Sequence, residues 1–281
     1  MNEQLSQALP AGAVIGEYVV ERALDHDGQN YRYRALHPRH GRCLLHEPMP
    51  LDLARRGEDG IHPVDAGDRG ALRWLMRSHL ERARQFARIR HPAWLTIVDV
   101  FESGGVYHAA EAPAGITLHS LFARHATLDE PQLQALLRPL LDALAAVHDA
   151  GLIHRALGPQ HIWLQDDGSA RLGGFGGVRA PIRFRSQTVC SAALAPYAPP
   201  EEGRVDAAAT PATDVYALAA LLYQLISGTA PPSAGQRLQG APLPPLQTLA
   251  ADRCRESTRA AIDSALALDA AQRPQSIDQW R

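Results

Sequence analysis

No lysine occurs anywhere in the 281 residues, so all 28 basic side chains are arginines. A flexible ammonium that could grip a phosphate as a point charge is therefore absent, and only the planar guanidinium fork is available. The arginine and alanine bias has a plain source in a GC-rich genome, but its chemical consequence stands. Asparagine is nearly missing as well, present only as Asn2 and Asn30. Cys43, Cys190 and Cys254 are too few and too scattered for a disulfide framework or a zinc site. A reducing, cytoplasmic setting follows as the expectation. No apolar run approaches the roughly 18 residues of a membrane helix, and the N-terminus lacks the charged and apolar regions of a signal peptide. The net charge of −2 gives no basic surface for nucleic acid and no polybasic arm for a membrane. What remains is 46% hydrophobic, enough for a full core.

The strand and helix signals come in a definite order. Residues 1–15 are small and mixed and read as a loose leader. Tyr18-Val19-Val20 and Tyr31-Arg32-Tyr33 carry strand-type residues, with Asp27-Gly28 as a hairpin turn between them. A third strand is expected around Cys43-Leu44-Leu45-His46, and the Gly/Asp/Arg-rich residues 51–70 read as a loop. Leu72, Leu75, Met76, Leu80, Ala83 and Phe86 repeat at helical spacing and predict a helix over 71–90. Strands are predicted over 94–102 and 106–110, and an apolar helix over 133–150. A short hairpin pairs 162–164 with 170–172. A further helix starts near Thr213 and stops at Ser227-Gly228, glycine being a common helix terminator. The proline-rich residues 230–245 read as a loop, and 257–268 as a last long helix.

The stretch His154-Arg155-Ala156-Leu157-Gly158-Pro159-Gln160-His161 resembles the catalytic loop of protein kinases, His-Arg-Asp-Leu followed three residues later by Asn. With it come Gly174-Phe175-Gly176, similar to Asp-Phe-Gly, and Ala198-Pro199-Pro200-Glu201, similar to Ala-Pro-Glu. Thr213-Asp214-Val215-Tyr216 resembles the start of the central helix of the larger lobe. The resemblance spans residues 16–281 and is closest in style to a group of bacterial serine/threonine kinases. It implies an α+β, two-lobed kinase-like fold: a small β-rich N-lobe with helix C over 16–111, and a larger, mainly helical C-lobe over 112–281. An end at the last expected helix reads as a domain excised from a longer protein.

The resemblance keeps the frame and departs at the chemistry. Ala156 stands at the catalytic Asp, Gly158 at a phosphate-facing Lys, and His161 at the Asn that holds a second metal ion. Gly174 stands at the metal-binding Asp. His46 takes the place of the strand lysine, and Arg82 that of its helix C glutamate, with Glu81 facing about 100° away. The three glycines over the phosphates map to Asp25, Asp27 and Asn30, and two carboxylates there would repel a triphosphate. Arg32, Leu44 and Trp163 line the adenine slot, with Leu44 and Trp163 expected to fill it. Phe86, Ile97, His154 and Phe175, anchored on Asp214, match the column of side chains that links the lobes, and Glu201 with Arg273 matches a C-lobe ion pair. These seven are read as architectural.

The departures together imply a catalytically inactive pseudokinase, not an enzyme, with no cofactor and no or very weak ATP binding. It is expected to serve as a protein-binding, scaffold or allosteric module in bacterial signalling, with protein partners and no nucleic acid or membrane. The alternatives are a nucleotide-binding sensor and a kinase-fold enzyme with non-standard chemistry recruiting His46, His154 or His161. No His-x₃-His zinc pattern supports the latter. Ser186, Thr188 and Ser191, beside Arg183 and Arg185, are candidate phosphorylation sites.

Overall fold

The computed structural model describes residues 5–27, 29–124, 128–176, 195–204, 207–249 and 253–281. They fall into two compact units: the N-terminal unit holds the described residues of 1–89 and 95–112, and the C-terminal unit those of 90–94, 113–176 and 192–281. A strand-rich first part with one long helix and a mainly helical second part were expected, and these are what the chain forms.

The N-terminal unit is built on one antiparallel sheet in the order β1-β2-β3-β4-β8-β7. Its strands are β1 (Val14–Ile15), β2 (Tyr18–His26), β3 (Asn30–His37), β4 (Gly41–Pro48), β7 (Ile97–Glu102) and β8 (Val106–Glu111). Side chains alternate between the faces of a strand. One face therefore gathers Tyr31, Tyr33, Cys43, Leu45, Tyr107 and Ala109, all buried, into the core of this unit. Helix α1 (Arg69–Phe86) buries Leu72, Leu80, Ala83 and Phe86, the stripe that its helical spacing requires.

Two segments differ from what the sequence predicts. Residues 51–70 are not a plain loop: β5 (Ala54–Gly57) and β6 (Gly60–Pro63) form a hairpin with its own two-stranded pairing. Residues 5–15 are not a loose leader either. Leu5, Ala8, Leu9 and Ala13 pack on the sheet core, and β1 pairs with β2. One buried carboxylate joins these additions to the sheet. Glu47, fully buried, accepts from the hydroxyls of Tyr33 (2.6 Å) and Tyr107 (2.7 Å) and from both terminal nitrogens of Arg56 on β5. Arg56 Nε in turn donates to the carbonyl of Gln7 at 2.7 Å. A buried charge needs this degree of pairing.

The C-terminal unit is organised by α4 (Pro211–Ser227), with 14 of its 17 residues buried, the mark of a helix enclosed on every side. A capping box at Thr210 starts it and Gly228, at φ +83°, ends it. Around it lie β9 (Ile116–Thr117), α2 (Leu118–Phe122), α3 (Glu130–Asp149), β10 (Ile162–Leu164), β11 (Ala170–Leu172), α5 (Ala234–Leu238), α6 (Leu246–Leu249), α7 (Glu256–Ala265) and α8 (Ile277–Trp280). Helix α3 is fixed at its start by a capping box of Asp129 and Gln132. The expected loop over 230–245 contains α5, whose start is capped by Ser233. Strands β9, β10 and β11 form a small antiparallel sheet.

Candidate functional site

In the N-terminal unit the antiparallel register sets four polar residues directly opposite one another across the strands: Asp25 on β2, Arg32 on β3, His46 on β4 and His108 on β8. Residues so paired share one face of the sheet. Asp25 receives Arg32 in a two-pronged bond, with Nε donating to Oδ1 at 2.6 Å and Nη2 to Oδ2. The expectation of two bare carboxylates repelling a triphosphate is therefore modified, because the charge of Asp25 is met by a guanidinium. Arg32 is buried and turned to Asp25. Asp27 uses its carboxylate on its own turn, accepting from the backbone N–H of Gln29 (2.9 Å) and of Asn30 (2.7 Å). In the family these turn amides lie over phosphate oxygens; here an internal carboxylate occupies them.

His46 stacks on His108, with ring centroids 4.3 Å apart and planes 15° apart. From α1, His79 brings Nε2 to within 3.1 Å of His108 Nδ1, so one of the two nitrogens donates and the other accepts. All three imidazoles are buried. Burial pushes His79 down to about 4, with Arg82 acting in the same direction and Asp27 against it. The sequence reading placed Arg82 in the partner position of His46. The structure sets the guanidinium of Arg82 over the Phe86 ring at 5.0 Å, and His79, one helical turn earlier on α1, is bonded into the histidine group. His79 and His108 were missed. The signal was available: His79 lies three residues before Arg82 on the same helix face, and His108 alternates with the buried Tyr107 and Ala109 on a strand.

In the C-terminal unit the loop between α3 and β10 is held from below by Asp214, fully buried near the start of α4. Its carboxylate accepts from the backbone N–H of His154 (2.7 Å) and Arg155 (2.8 Å) and contacts His148 Nε2 at 2.9 Å. Burial pushes the Asp214 carboxyl up, but the bonds from His148 and the loop outweigh it and leave the carboxyl below its ordinary value. Arg155 is the one described non-glycine residue with positive φ, at 68°, and its guanidinium is clamped by Glu202 at 3.1 and 3.3 Å. His154 Nε2 lies 3.2 Å from the carbonyl of Gly173, and its Nδ1 accepts from the N–H of Ala156 at 3.3 Å, which fixes its tautomer.

His161 and Gly174, the two family positions for metal ligands, face each other. His161 Nδ1 donates to the carbonyl of Ala156 at 2.6 Å. A Cβ added to Gly174 would meet His161 Cδ2 at 3.0 Å, and Gly174 has φ +74°, a region that disfavours side chains. Magnesium takes oxygen ligands in a near-octahedral set. An imidazole and a residue without a side chain do not fit that ion. Among the described residues no group of three or more His, Cys, Asp or Glu could hold a metal ion. Ala156 and Gly158 complete the loop with no titratable group.

The remaining architectural residues fall as follows. Arg273 and Glu201 form a two-pronged pair at 2.7 and 3.0 Å. Thr213 also donates to Glu201, and the guanidinium lies 4.8 Å from the Tyr216 ring centroid. Phe86, Ile97 and Leu44 belong to the N-terminal unit, and His154, Phe175 and Trp163 to the C-terminal unit; all six are buried. Arg183, Arg185, Ser186, Thr188, Ser191 and Cys190, like Gly28, lie outside the described residues. Among the described residues no helix is long and apolar enough to cross a membrane.

The profile of the protein kinase domain matches residues 75–275. The serine/threonine-protein kinase PknL of Mycobacterium tuberculosis is 33% identical over 226 residues, covering 79% of this chain and 52% of PknL. Serine/threonine-protein kinase PknK of the same species is 29% identical over 264 residues, covering 80% of this chain and 23% of PknK. The chain thus spans about half or less of the length of these relatives. A solved structure described as the apo form of PpkA-294 superposes with a TM-score of 0.81 at 29% identity, covering 98% of both chains. These findings overturn one expectation, that the chain is not an enzyme: its relatives bear the names of enzymes over most of its length. The expectation failed because a missing side chain at a motif position removes one group without preventing the fold from supplying another. What the substituted positions do establish is narrower. Any phosphoryl transfer here proceeds without a lysine and without a carboxylate at 156 or 174.

Proposed function

We propose that this chain, which belongs to the protein kinase family, works as a protein-binding regulatory module in bacterial serine/threonine kinase signalling, with no or very weak binding of ATP. The observation that carries the proposal is the fit of His161 against Gly174. The two family positions for metal ligands are packed against each other, while Asp214 still holds the loop backbone and the Glu201–Arg273 pair is intact. A fold maintained in this way presents surfaces. The occupation of the β2–β3 turn amides by Asp27 supports the same reading for the N-terminal unit.

A second reading, a kinase-fold enzyme with non-standard chemistry, is favoured by the histidine content of both units. His46, His79 and His108 form one buried group, and His154 and His161 lie with ring centroids 6.1 Å apart. Imidazole is the side chain best suited to proton transfer near neutral pH.

The test is in-cell cross-linking in the native host, with the full-length protein carrying a photoreactive residue on α1 or α7, followed by mass spectrometry of the adducts. A regulatory module gives one or a few stoichiometric protein adducts, including a serine/threonine kinase or its substrate, and deletion changes the phosphorylation of that substrate. Phosphorylation of added protein by the purified chain, without any stable adduct in the cell, would favour the second reading.

A further inference from the structure

The proline-rich connection between α5 and α6 takes no part in the positions described above. Residues 241–245 read Ala-Pro-Leu-Pro-Pro. A proline fixes its own φ near −65° and has no backbone N–H, and the residue before a proline is driven into extended conformations. Every residue from 241 to 245 is a proline, precedes one, or does both. Local sterics therefore favour the polyproline form, which needs no internal hydrogen bonds and turns once in three residues. The burial pattern agrees with that repeat. Pro242 and Pro245 are exposed, whereas Leu243 is half-buried and Leu246 fully buried. Positions three apart thus share one edge, two prolines turned to water and two leucines turned to the protein.

The stretch is also held at both ends. The Ala241 N–H donates to the Gln236 carbonyl at 3.0 Å. The Tyr223 hydroxyl of α4 donates to the Pro244 carbonyl at 2.8 Å, and the Leu246 N–H donates to Asp263 of α7 at 3.1 Å. A segment fixed in shape beforehand loses little freedom on binding. Residues 238–249 contain no charged side chain. Among the described residues of the C-terminal unit, the exposed large aliphatic side chains are Leu238 (65%) and Leu249 (48%), the two ends of this same uncharged run. We infer that residues 238–249 are the ligand of a partner domain whose groove is lined by tyrosine and tryptophan rings and takes prolines three residues apart. In the polyproline form Pro242 and Pro245 stand on one edge about 9 Å apart, the pattern that such grooves read. The inference rests on the protein-binding reading and gives it a location and a partner chemistry. With no charge in the segment, apolar contact carries the affinity, and salt has little to screen.

The experiment places a photoreactive phenylalanine analogue at the exposed Gln247 of the full-length protein in its native host, with the adduct mapped by mass spectrometry. The expected result is attachment to one partner protein, beside tyrosine or tryptophan residues. Adduct yield falls about tenfold or more for the P242A/P245A double variant, and about threefold or less for P244A, which loosens the same backbone and leaves both edge rings in place. Pro242 and Pro245 are exposed, so circular dichroism of each variant matches that of the parent. Calorimetric titration of the purified full-length protein with the purified partner gives an affinity that changes less than about threefold between about 50 mM and about 500 mM salt. Equal yield from P242A/P245A, an equal loss from P244A, or a steep fall of affinity with salt would overturn the inference. So would attachment to a second copy of this chain, or to a partner surface without aromatic residues. Adducts from a probe on α1 with none from position 247 overturn this location and leave the protein-binding reading in place. No adduct from any position overturns both.

Discussion

The imidazole of His161 takes the space into which a side chain at Gly174 would grow. A Cβ at residue 174 would lie 3.0 Å from Cδ2 and 3.3 Å from Cγ and Nε2 of that ring. The histidine is anchored there by its bond to the Ala156 carbonyl, and the glycine is held at φ +74°. Restoring the family aspartate at 174 alone therefore meets the His161 ring.

This coupling can be measured. Gly174→Asp is expected to lower stability by about 1–3 kcal/mol, from the left-handed backbone and the contact with the ring. His161→Asn alone loses one hydrogen bond, of order 1 kcal/mol. In the double variant the contact with the ring is relieved, so its loss falls short of the sum by about 1 kcal/mol. Urea unfolding of the four proteins checks this, and strict additivity would show that the two positions do not constrain each other.

Glu47 gives a second prediction. It is fully buried with four donors around it, so removing the guanidinium strands a charge. Arg56→Met is expected to destabilise the N-terminal unit by about 3–5 kcal/mol. Tyr107→Phe removes a single bond to the same carboxylate and costs about 1.5–3 kcal/mol. The Arg56→Met, Glu47→Leu double variant recovers part of the loss. Hydrogen exchange of the β3 and β4 amides reads the effect locally. Unchanged protection in Arg56→Met would mean that the hairpin and residues 5–15 are not fastened through this pair.

The pH dependence of stability has two separate windows. His79 sits at about 4 when folded, against about 6.5 when unfolded. Between these values the unfolded chain binds more protons, so stability is complete above about pH 6.5 and is lost as pH falls toward 4. The full loss is about 3 kcal/mol. Asp214 lies below its ordinary value, and its contribution disappears only at lower pH, as the carboxyl is protonated. Thermal unfolding of His79→Leu should therefore show a flatter profile between pH 7 and pH 4.5 than the parent, with the acid limb below pH 4 retained. Parallel profiles over the upper window would remove His79 as its source.

Much of the frame was legible in the sequence because it is written in local patterns. Helix α1 runs over Arg69–Phe86 where the apolar repeat placed a helix at 71–90, and α4 ends on Gly228 as its glycine signalled. The short hairpin of Ile162–Leu164 with Ala170–Leu172 pairs as read. The site was less legible because its contacts join residues far apart in the chain. Ala54–Gly57 has no apolar alternation; among the described residues it pairs with Gly60–Pro63 alone, and the bond from Arg56 to Glu47 ties that hairpin to the core. Residues 5–15 have the composition of a tail, but the Gln7 carbonyl meets Arg56 and the Leu9 amide meets Tyr33. Arg32 and Asp25 were read separately, one as a pocket lining and one as a phosphate repellent, when the strand register makes them partners. On α1 the family pattern points to Arg82 and not to His79, one turn away, because helical spacing identifies a face without saying which of its residues reaches the neighbouring strand.

The most direct measurement of the central claim is a thermal-shift titration of the chain with ATP, alone and with Mg²⁺ or Mn²⁺. A ligand bound to the folded state raises stability by RT ln(1 + [L]/Kd), about 2.7 kcal/mol at a hundredfold excess over Kd. A protein-binding role with no or very weak ATP binding predicts no shift at millimolar nucleotide in any of the three conditions. A shift of several degrees that appears only with the metal would contradict it, and would show that groups other than those at 46, 156, 161 and 174 hold the nucleotide and its ion.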